Sequence, residues 1–360
     1  MRRFYVIANK PGSWKIAIGL LAVSTAFLSR ASVGVAQESP TSGTTLTTEE
    51  VIAAIKRRAE RALEERRRAK PLQWFFEFSS GGGYEKNPSY SQSHKGDSFV
   101  EEDLFMEVSK KLTPTLTWGG TYSNSYVNYF ELTDDTYTYQ TLTPLKLIWQ
   151  PDRRWRLDSG VDLDYLWYPN NSPANYQELK PWIGVRQNLW GSWYQSARYL
   201  WFLRHYVSAK ARNGLGTGTR SPREDTRNTL RYEVGTDWLK TSLKARGEWY
   251  LNDSNDARQD FYDAEDYKLT GFVSRPLTEK LSLSASYTFE RKSYLHRQVI
   301  GVQRPRARYD DIQTYSVFAI YDINKTWSLN PRFSYTHLNS NEPTGEYFDY
   351  TVSGVVTAKF

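Results

Sequence analysis

The chain has 360 residues and a net charge of +7, and 15% of its residues are aromatic, including 13 tryptophans and 26 tyrosines. This aromatic content exceeds what the core of a soluble protein usually needs. There is no cysteine, which excludes disulfides and thiolate metal sites, and we expect neither a metal nor another cofactor.

The positive charge is concentrated near the N terminus. Residues 1–36 hold five basic and no acidic residues, and residues 47–70 hold eight basic and five acidic residues. Residues 71–360 are neutral overall. The basic balance therefore does not indicate a nucleic-acid partner.

The N terminus resembles an export signal in its layout. The apolar run Ile16–Leu28 follows four basic residues and precedes the small residues Gly34-Val35-Ala36. It is shorter than the roughly 20 residues that a transmembrane helix needs. We predict that residues 1–36 are a signal peptide cleaved near Ala36, the alternative being an N-terminal anchor helix.

Residues 37–70 form the second predicted segment, a polar tether followed by one basic amphipathic helix. Thr47 and Glu50 match a capping box at its start, and Pro71 ends it. This helix has four alternative interpretations. It plugs a pore from the periplasmic side, binds a periplasmic partner, lies on anionic lipid, or is a solvated charged spacer.

From Leu72 onward the hydrophobic period is two. Trp74, Phe76 and Phe78, for example, alternate with Phe75, Glu77 and Ser79. Six short turns and seven long polar loops separate fourteen predicted strands of roughly ten residues. The long loops are predicted at residues 86–101, 127–136, 168–176, 211–227, 252–265, 291–311 and 338–346. We therefore predict that residues 71–360 form a closed, antiparallel, all-β transmembrane barrel, because a sheet satisfies its backbone in lipid only by closing.

Tryptophans recur near the short turns. The six concerned are Trp118, Trp149, Trp155, Trp193, Trp238 and Trp327. Tryptophan prefers the boundary between lipid and water, so we expect these six to form the periplasmic aromatic girdle. Outer-membrane lipid would surround the girdle. The basic segment 291–311 would contact lipopolysaccharide phosphates, or alternatively fold inward as a constriction or gather anionic polymer.

Strand alternation also assigns charged residues to the lumen. The predicted basic ladder consists of Arg186, Arg198, Arg204, Arg231, Lys244 and Arg246, and the predicted acidic stripe of Asp158, Asp162 and Asp164. Side by side they would create a transverse electric field, and a ladder lined by arginines favours anions or zwitterionic solutes. The alternative is that these charges pair across strands and fill the lumen.

Enzyme signals are weak. The four histidines are His94 and His296 in predicted loops, His205 at a lipid-facing position and His337 at a strand end. His337 has no evident serine or aspartate partner in sequence, and a loop-built pairing of His296 with Asp310 or Asp311 is the alternative. We do not expect an enzyme.

Two features carry family resemblances. The terminal Phe360 resembles the C-terminal assembly signal of outer-membrane proteins, which implies insertion by the barrel-assembly machinery. Residues 72–360 look like porin-type outer-membrane barrels. The segment Gly82-Gly83-Tyr84-Glu85-Lys86-Asn87-Pro88 is similar to a pattern in barrel porins found with exopolysaccharide export and in surface-lipoprotein assembly modifiers.

Two functional hypotheses follow from these observations. The first is an outer-membrane channel for passive diffusion of small hydrophilic, anionic solutes. The second is an outer-membrane component of exopolysaccharide or surface-lipoprotein export or assembly, which would bind its partner through residues 47–70.

Overall fold

The protein is a closed barrel in the part of the chain that the computed structural model describes, residues 72–90, 95–213, 217–256, 262–299, 306–342 and 345–360. Its strands are β1 (Leu72–Glu85), β2 (Asp97–Lys111), β3 (Leu116–Tyr129), β4 (Tyr137–Trp149), β5 (Trp155–Trp167), β6 (Tyr176–Asn188), β7 (Tyr194–Arg212), β8 (Gly218–Trp238), β9 (Thr241–Ser254), β10 (Ala264–Pro276), β11 (Leu281–Gln298), β12 (Ala307–Asp322), β13 (Trp327–Ser340) and β14 (Tyr347–Lys359). All neighbours are antiparallel, and β14 pairs with β1 to close the barrel. The predicted fold and the even strand number are confirmed.

The N-terminal predictions fall outside this description. The signal peptide at residues 1–36 and the tether and helix at residues 37–70 lie outside the described residues. Two short 3-10 helices, Thr133–Asp135 and Ser172–Ala174, lie in connections between strands. Among the described residues, no helix has both the length and the hydropathy needed to cross a membrane.

The two faces of the wall have the opposite polarity to a soluble protein. On β1 the rings of Trp74 and Phe78 are exposed, whereas Glu77 and Ser79 are buried. The same inversion recurs on the other strands, where large apolar side chains make up the outer surface. Because an apolar outer surface is stable in lipid and a polar interior is stable beside water, this arrangement fits a membrane-spanning barrel.

The strands are longer than predicted, and the loops are correspondingly shorter. Strand lengths run from 13 residues in β4 to 21 in β8. The predicted loop 291–311 is mostly strand, because β11 continues to Gln298 and β12 begins at Ala307. Likewise, the predicted loop 211–227 overlaps β8 from Gly218 onward. These loop boundaries were wrong because the strands continue past the apolar band with polar residues on both faces.

The seam between β1 and β14 closes through tight backbone contact. Gly82 faces Gly354 in the register. A Cβ on Gly81 would lie 2.1 Å from the carbonyl oxygen of Gly354, so this position requires glycine. The backbone amide of Phe360 donates to the carbonyl of Phe76 (2.9 Å), and the two rings lie 5.8 Å apart. The terminal residue is thus part of the closing seam.

Candidate functional site: the charged lumen

One side of the lumen is predominantly basic. We call the inward cations of β6–β9 the basic wall: Lys180, Arg186, Arg198, Arg204, Arg223, Arg227, Arg231, Lys244 and Arg246. Among the described residues, the inward anions of the same strands are Glu178, Asp225, Glu233 and Glu248. Cations outnumber anions about two to one, and all six residues of the predicted ladder belong to this wall.

Most ladder residues form ion pairs with neighbouring strands. Arg204 Nε donates to Glu178 Oε2 at 2.8 Å, and Arg246 Nη2 donates to Glu233 Oε2 at 2.8 Å. The Arg231 guanidinium lies 3.1 Å from a Glu248 carboxylate oxygen. Such pairs fix the orientation of the guanidinium groups, because two charged hydrogen-bonding groups constrain one another more than water would.

The aspartates of the predicted acidic stripe lie inward on β5 and bind residues of the basic wall. Asp158 forms an ion pair with Arg198, and Lys180 Nζ lies 2.7 Å from Asp164 and 3.6 Å from Asp162. These contacts agree with the alternative prediction, in which the charges pair across strands. The paired cations neutralise most of the negative charge of the acidic stripe.

Gly184 makes room for the pair between Asp158 and Arg198. The register places Asp158, Gly184 and Arg198 in one row across three strands. A Cβ on Gly184 would lie 2.9 Å from Asp158 Oδ1 and 3.3 Å from Arg198 Nε. The two charged side chains therefore meet directly over the intervening strand.

Aromatic rings support the guanidinium groups of the basic wall. Arg186 lies 3.7 Å from the ring centroid of Tyr194, and Arg204 lies 3.9 Å from that of Tyr176. The remaining stacks on this wall within 5 Å are Arg198 on Trp182, Arg223 on Tyr206 and Tyr262, and Arg227 on Tyr250. Because a cation over an aromatic face is stabilised by the ring quadrupole, the stacks hold the arginines in a column along the wall.

Two pairs of arginines face each other directly on neighbouring strands. Arg198 is the register partner of Arg231, and Arg156 is the register partner of Arg186. Like charges directly opposite one another destabilise a sheet. In the first pair, Arg198 forms an ion pair with Asp158 and Arg231 with Glu248, so carboxylates of neighbouring strands offset this repulsion.

The lumen also has a negative side, which was not among the residues predicted from the sequence. The inward residues Glu77, Glu101, Asp103 and Glu107 of β1 and β2 are carboxylates, and we call them the acidic face. In a closed barrel of fourteen strands, β1 is opposite β8 and β2 is opposite β9. The acidic face therefore lies across the lumen from the basic wall. The alternation of β2 contained the signal, since its inward positions include Asp97, Glu101, Asp103 and Glu107.

Hydroxyl groups are common on the wall between the two charged regions. Thr270 and Thr288 lie 3.1 Å apart through their hydroxyl oxygens, and Thr314 and Thr336 lie 3.2 Å apart. The charged pairs on this wall include Lys268 with Glu290 at 3.8 Å. Hydroxyls satisfy one another across the strands, and this part of the interior is polar without a strong net sign.

The six tryptophans of the predicted girdle all occupy outward positions or turns at the end with the short connections. The exposed fraction of Trp238 is 65%, and Trp149, Trp155, Trp193 and Trp327 are also exposed, whereas Trp118 is half-buried. Their contact with the lipid boundary stays a prediction.

The histidines lie apart from the charged lumen. His205 Nδ1 is 3.2 Å from Glu224 Oε1, and His337 Nε2 is 3.8 Å from a Glu346 oxygen. The expectation that His296 lies in a loop was wrong, since it is in β11, and His94 lies outside the described residues. In the part of the chain that the structure describes, no cluster of three or more histidines and carboxylates could hold a metal ion.

Comparisons with known proteins give a fold and no family. No family model matches the chain, and no curated protein matches it. Among solved structures, outer-membrane expressed OmpT of Vibrio cholerae is similar with a TM-score of 0.51 at 8% identity, over 81% of this chain and 99% of that one.

Two further similar structures have lower scores. A TodX deltaS2S3 mutant monoaromatic hydrocarbon channel has a TM-score of 0.47 at 11% identity, over 81% of this chain and 90% of that one. An anion-selective porin from Comamonas acidovorans has a TM-score of 0.42 at 8% identity, over 80% of this chain and 99% of that one. The closed barrel and the likeness to the Vibrio protein show the fold: the chain has the fold of an outer-membrane β-barrel.

Proposed function

We propose that the protein is an outer-membrane channel for passive diffusion of small hydrophilic solutes, with a preference for anions. The observation that carries this proposal is the excess of inward cations over inward anions on β6–β9, which includes the neighbouring residues Arg198 and Arg231. A lumen wall with an excess of positive charge attracts anions along its length. Passing anions would therefore be attracted without being held by a single deep site.

Ion selectivity of the refolded protein in planar bilayers tests the proposal. Under a KCl gradient, the zero-current potential of the full chain should indicate preference for chloride. Arg198→Gln combined with Arg231→Gln should move the zero-current potential toward the equilibrium potential of potassium, because the basic wall loses two cations. Lys268→Gln is the matched control, since it removes an inward cation that is paired with Glu290 outside the basic wall.

Two outcomes would contradict the proposal. An unchanged potential in the double arginine variant would refute the anion preference. Electrical silence of both the full chain and a variant lacking residues 37–70 would refute the channel itself, and would leave the export or assembly hypothesis.

A further inference from the structure

We propose that Arg156 and Arg186 form a discrete binding site for a phosphate group at the end of the lumen with the short turns. This site deepens the anion preference proposed above, because it names a class of solute, and it rests on the channel function only for its role in transport. Binding of phosphate to the two arginines can be measured even in a barrel that conducts nothing.

The two arginines lie side by side on neighbouring strands. Arg156 on β5 is the register partner of Arg186 on β6, and directly opposite residues of an antiparallel pair point to the same face of the sheet. Arg156 is the second residue of β5, and Arg186 lies two residues before the end of β6. Both side chains are half-buried. The two guanidinium groups therefore enter the lumen together, near its end, where solutes can reach them.

Neither guanidinium group of this pair forms an ion pair with any residue that the structure describes. The other facing pair, Arg198 and Arg231, differs in this respect, because each of its members is bound by a carboxylate. The repulsion between Arg156 and Arg186 is thus the one that an anion from solution would relieve.

The carboxylates beside the pair are engaged with other groups. Asp158, two residues along β5, forms its ion pair with Arg198. Glu233 accepts hydrogen bonds from Arg246 Nη2 and from the Tyr194 hydroxyl, each at 2.8 Å. The aspartate of the β4–β5 turn accepts two backbone amides of that turn at 2.7 Å. These contacts leave the positive charge of the arginine pair to be balanced by a ligand.

Arg186 is held in an orientation that suits an incoming anion. Its Nε donates to Asn188 Oδ1 at 3.3 Å, and its guanidinium group lies 3.7 Å from the ring centroid of Tyr194. The Tyr194 ring lies across Gly235, where a Cβ would come within 2.6 Å of it. Neither Nη atom of Arg186 donates to another residue in the described part of the chain. One edge and one face of the group are therefore fixed, while the edge with both Nη atoms can bind, which lowers the entropic cost of binding.

A phosphate group matches two guanidinium groups better than other common anions do. One guanidinium fork is enough for both oxygens of a monocarboxylate. A phosphate monoester has three acceptor oxygens and a charge of about −1.5 to −2 near neutral pH, so it can bind two forks and balance two cations. Lys244, whose Nζ lies 6.0 Å from the Tyr194 ring centroid, adds positive charge nearby. Inorganic phosphate and small phosphorylated solutes offer this same group.

Calorimetry on the refolded full chain in detergent tests the site without requiring conduction. Inorganic phosphate and glycerol phosphate are titrated separately at constant ionic strength, and we expect saturable binding of one phosphate group per barrel. Arg156→Gln combined with Arg186→Gln should weaken binding roughly tenfold or more, because charge-assisted hydrogen bonds are lost. Lys268→Gln, which removes an inward cation paired with Glu290, should bind as the parent does.

A lysine variant separates the fork geometry from the charge. Arg156→Lys combined with Arg186→Lys keeps both positive charges without either planar fork, so its affinity should lie between those of the parent and the glutamine variant. The affinity for glycerol phosphate should also rise from about pH 5 to about pH 8. The reason is that a phosphate monoester loses its second proton near pH 6, whereas the guanidinium groups remain charged.

Unfolding in urea gives an independent measurement. Phosphate should raise the urea midpoint of the parent, since a ligand that binds only the folded state stabilises it, and should leave the midpoint of the glutamine variant unchanged. Without phosphate, the glutamine variant should unfold at the same or a higher urea concentration than the parent, because the repulsion between the arginines is gone. A lower midpoint would overturn the proposal, since the two arginines would then stabilise the fold without a ligand.

The titrations have outcomes that decide the proposal. Equal affinities for phosphate and acetate, or an unchanged phosphate affinity in the glutamine variant, would overturn the site. Malonate binding as tightly as phosphate would overturn the choice of phosphate. Binding of inorganic phosphate without glycerol phosphate would support the site and identify free phosphate as its ligand, and the reverse would identify a phosphorylated solute.

The site and the channel can fail separately. Specific phosphate binding by a barrel that is electrically silent would support the site and refute the channel. An anion-selective channel that binds no phosphate, and whose chloride current phosphate does not reduce, would refute the site and leave the channel intact.

Discussion

Alanine at Gly81 should weaken the closure of the barrel. The added Cβ would lie 2.1 Å from the Gly354 carbonyl oxygen and 2.6 Å from Val355 Cγ1. Carbon atoms need roughly 3.5 Å or more, and the backbone oxygen cannot rotate away as a side chain would. Overpacking of a well-packed site costs about 1–3 kcal/mol. We expect the upper part of this range, because relief requires β1 and β14 to move apart.

Gly354→Ala is a matched control at the same seam. Its Cβ would meet nothing within 4 Å, so the substitution should be neutral or stabilise by up to about 1 kcal/mol through the unfolded chain. The measurement is the free energy of unfolding in lipid vesicles, followed by tryptophan fluorescence in guanidinium. Equal free energies for the two alanine variants, within about 0.5 kcal/mol, would refute the steric reasoning.

Three further predictions concern the lumen, the terminus and the girdle. Glu178→Gln should destabilise the barrel by about 3–5 kcal/mol, because it leaves the buried Arg204 guanidinium without its acid; Glu279→Gln, at an exposed position in the turn after β10, should change the free energy of unfolding by less than about 0.5 kcal/mol. Deletion of Phe360 removes two backbone hydrogen bonds and a ring contact with β1, so less heat-modifiable folded barrel should appear on gels, and an undiminished yield would contradict its role. Fluorescence from Trp238 in a variant retaining only this tryptophan should be quenched most by bromine near the headgroups; strongest quenching by bromine at the bilayer centre would exclude its girdle position.

The barrel could be predicted from sequence because apolar residues recur at every second position along the outward face of each strand. Along β11, for example, Leu283 and Tyr287 alternate with small hydroxyl residues, and only one face of such a strand can meet lipid. Strand ends could not be predicted in the same way. The first residues of β8, from Gly218 onward, are polar on both faces, and there backbone pairing with β7 and β9 maintains the strand without a hydrophobic pattern.

Strand alternation predicted whether each charged side chain points into the lumen or outward. It did not predict the residue with which that side chain forms an ion pair. Arg198 lies inward as its parity predicts, but its acid comes from β5, two strands away. That pairing depends on the register of three strands and on the absence of a side chain at Gly184. The acidic face was accessible by the same parity argument that gave the basic wall, and its position opposite that wall follows only once the barrel closes.

Closure between the first and last strands has a consequence for biogenesis. The partners at this seam, such as Glu77 and Lys359, are separated by nearly the whole described chain, so their pairing restricts more chain entropy than any hairpin does. Until it forms, two strand edges with unpaired amides and carbonyls are presented to every other unfinished chain. A folding factor that holds one of these edges would therefore protect the nascent protein from aggregation until the seam closes.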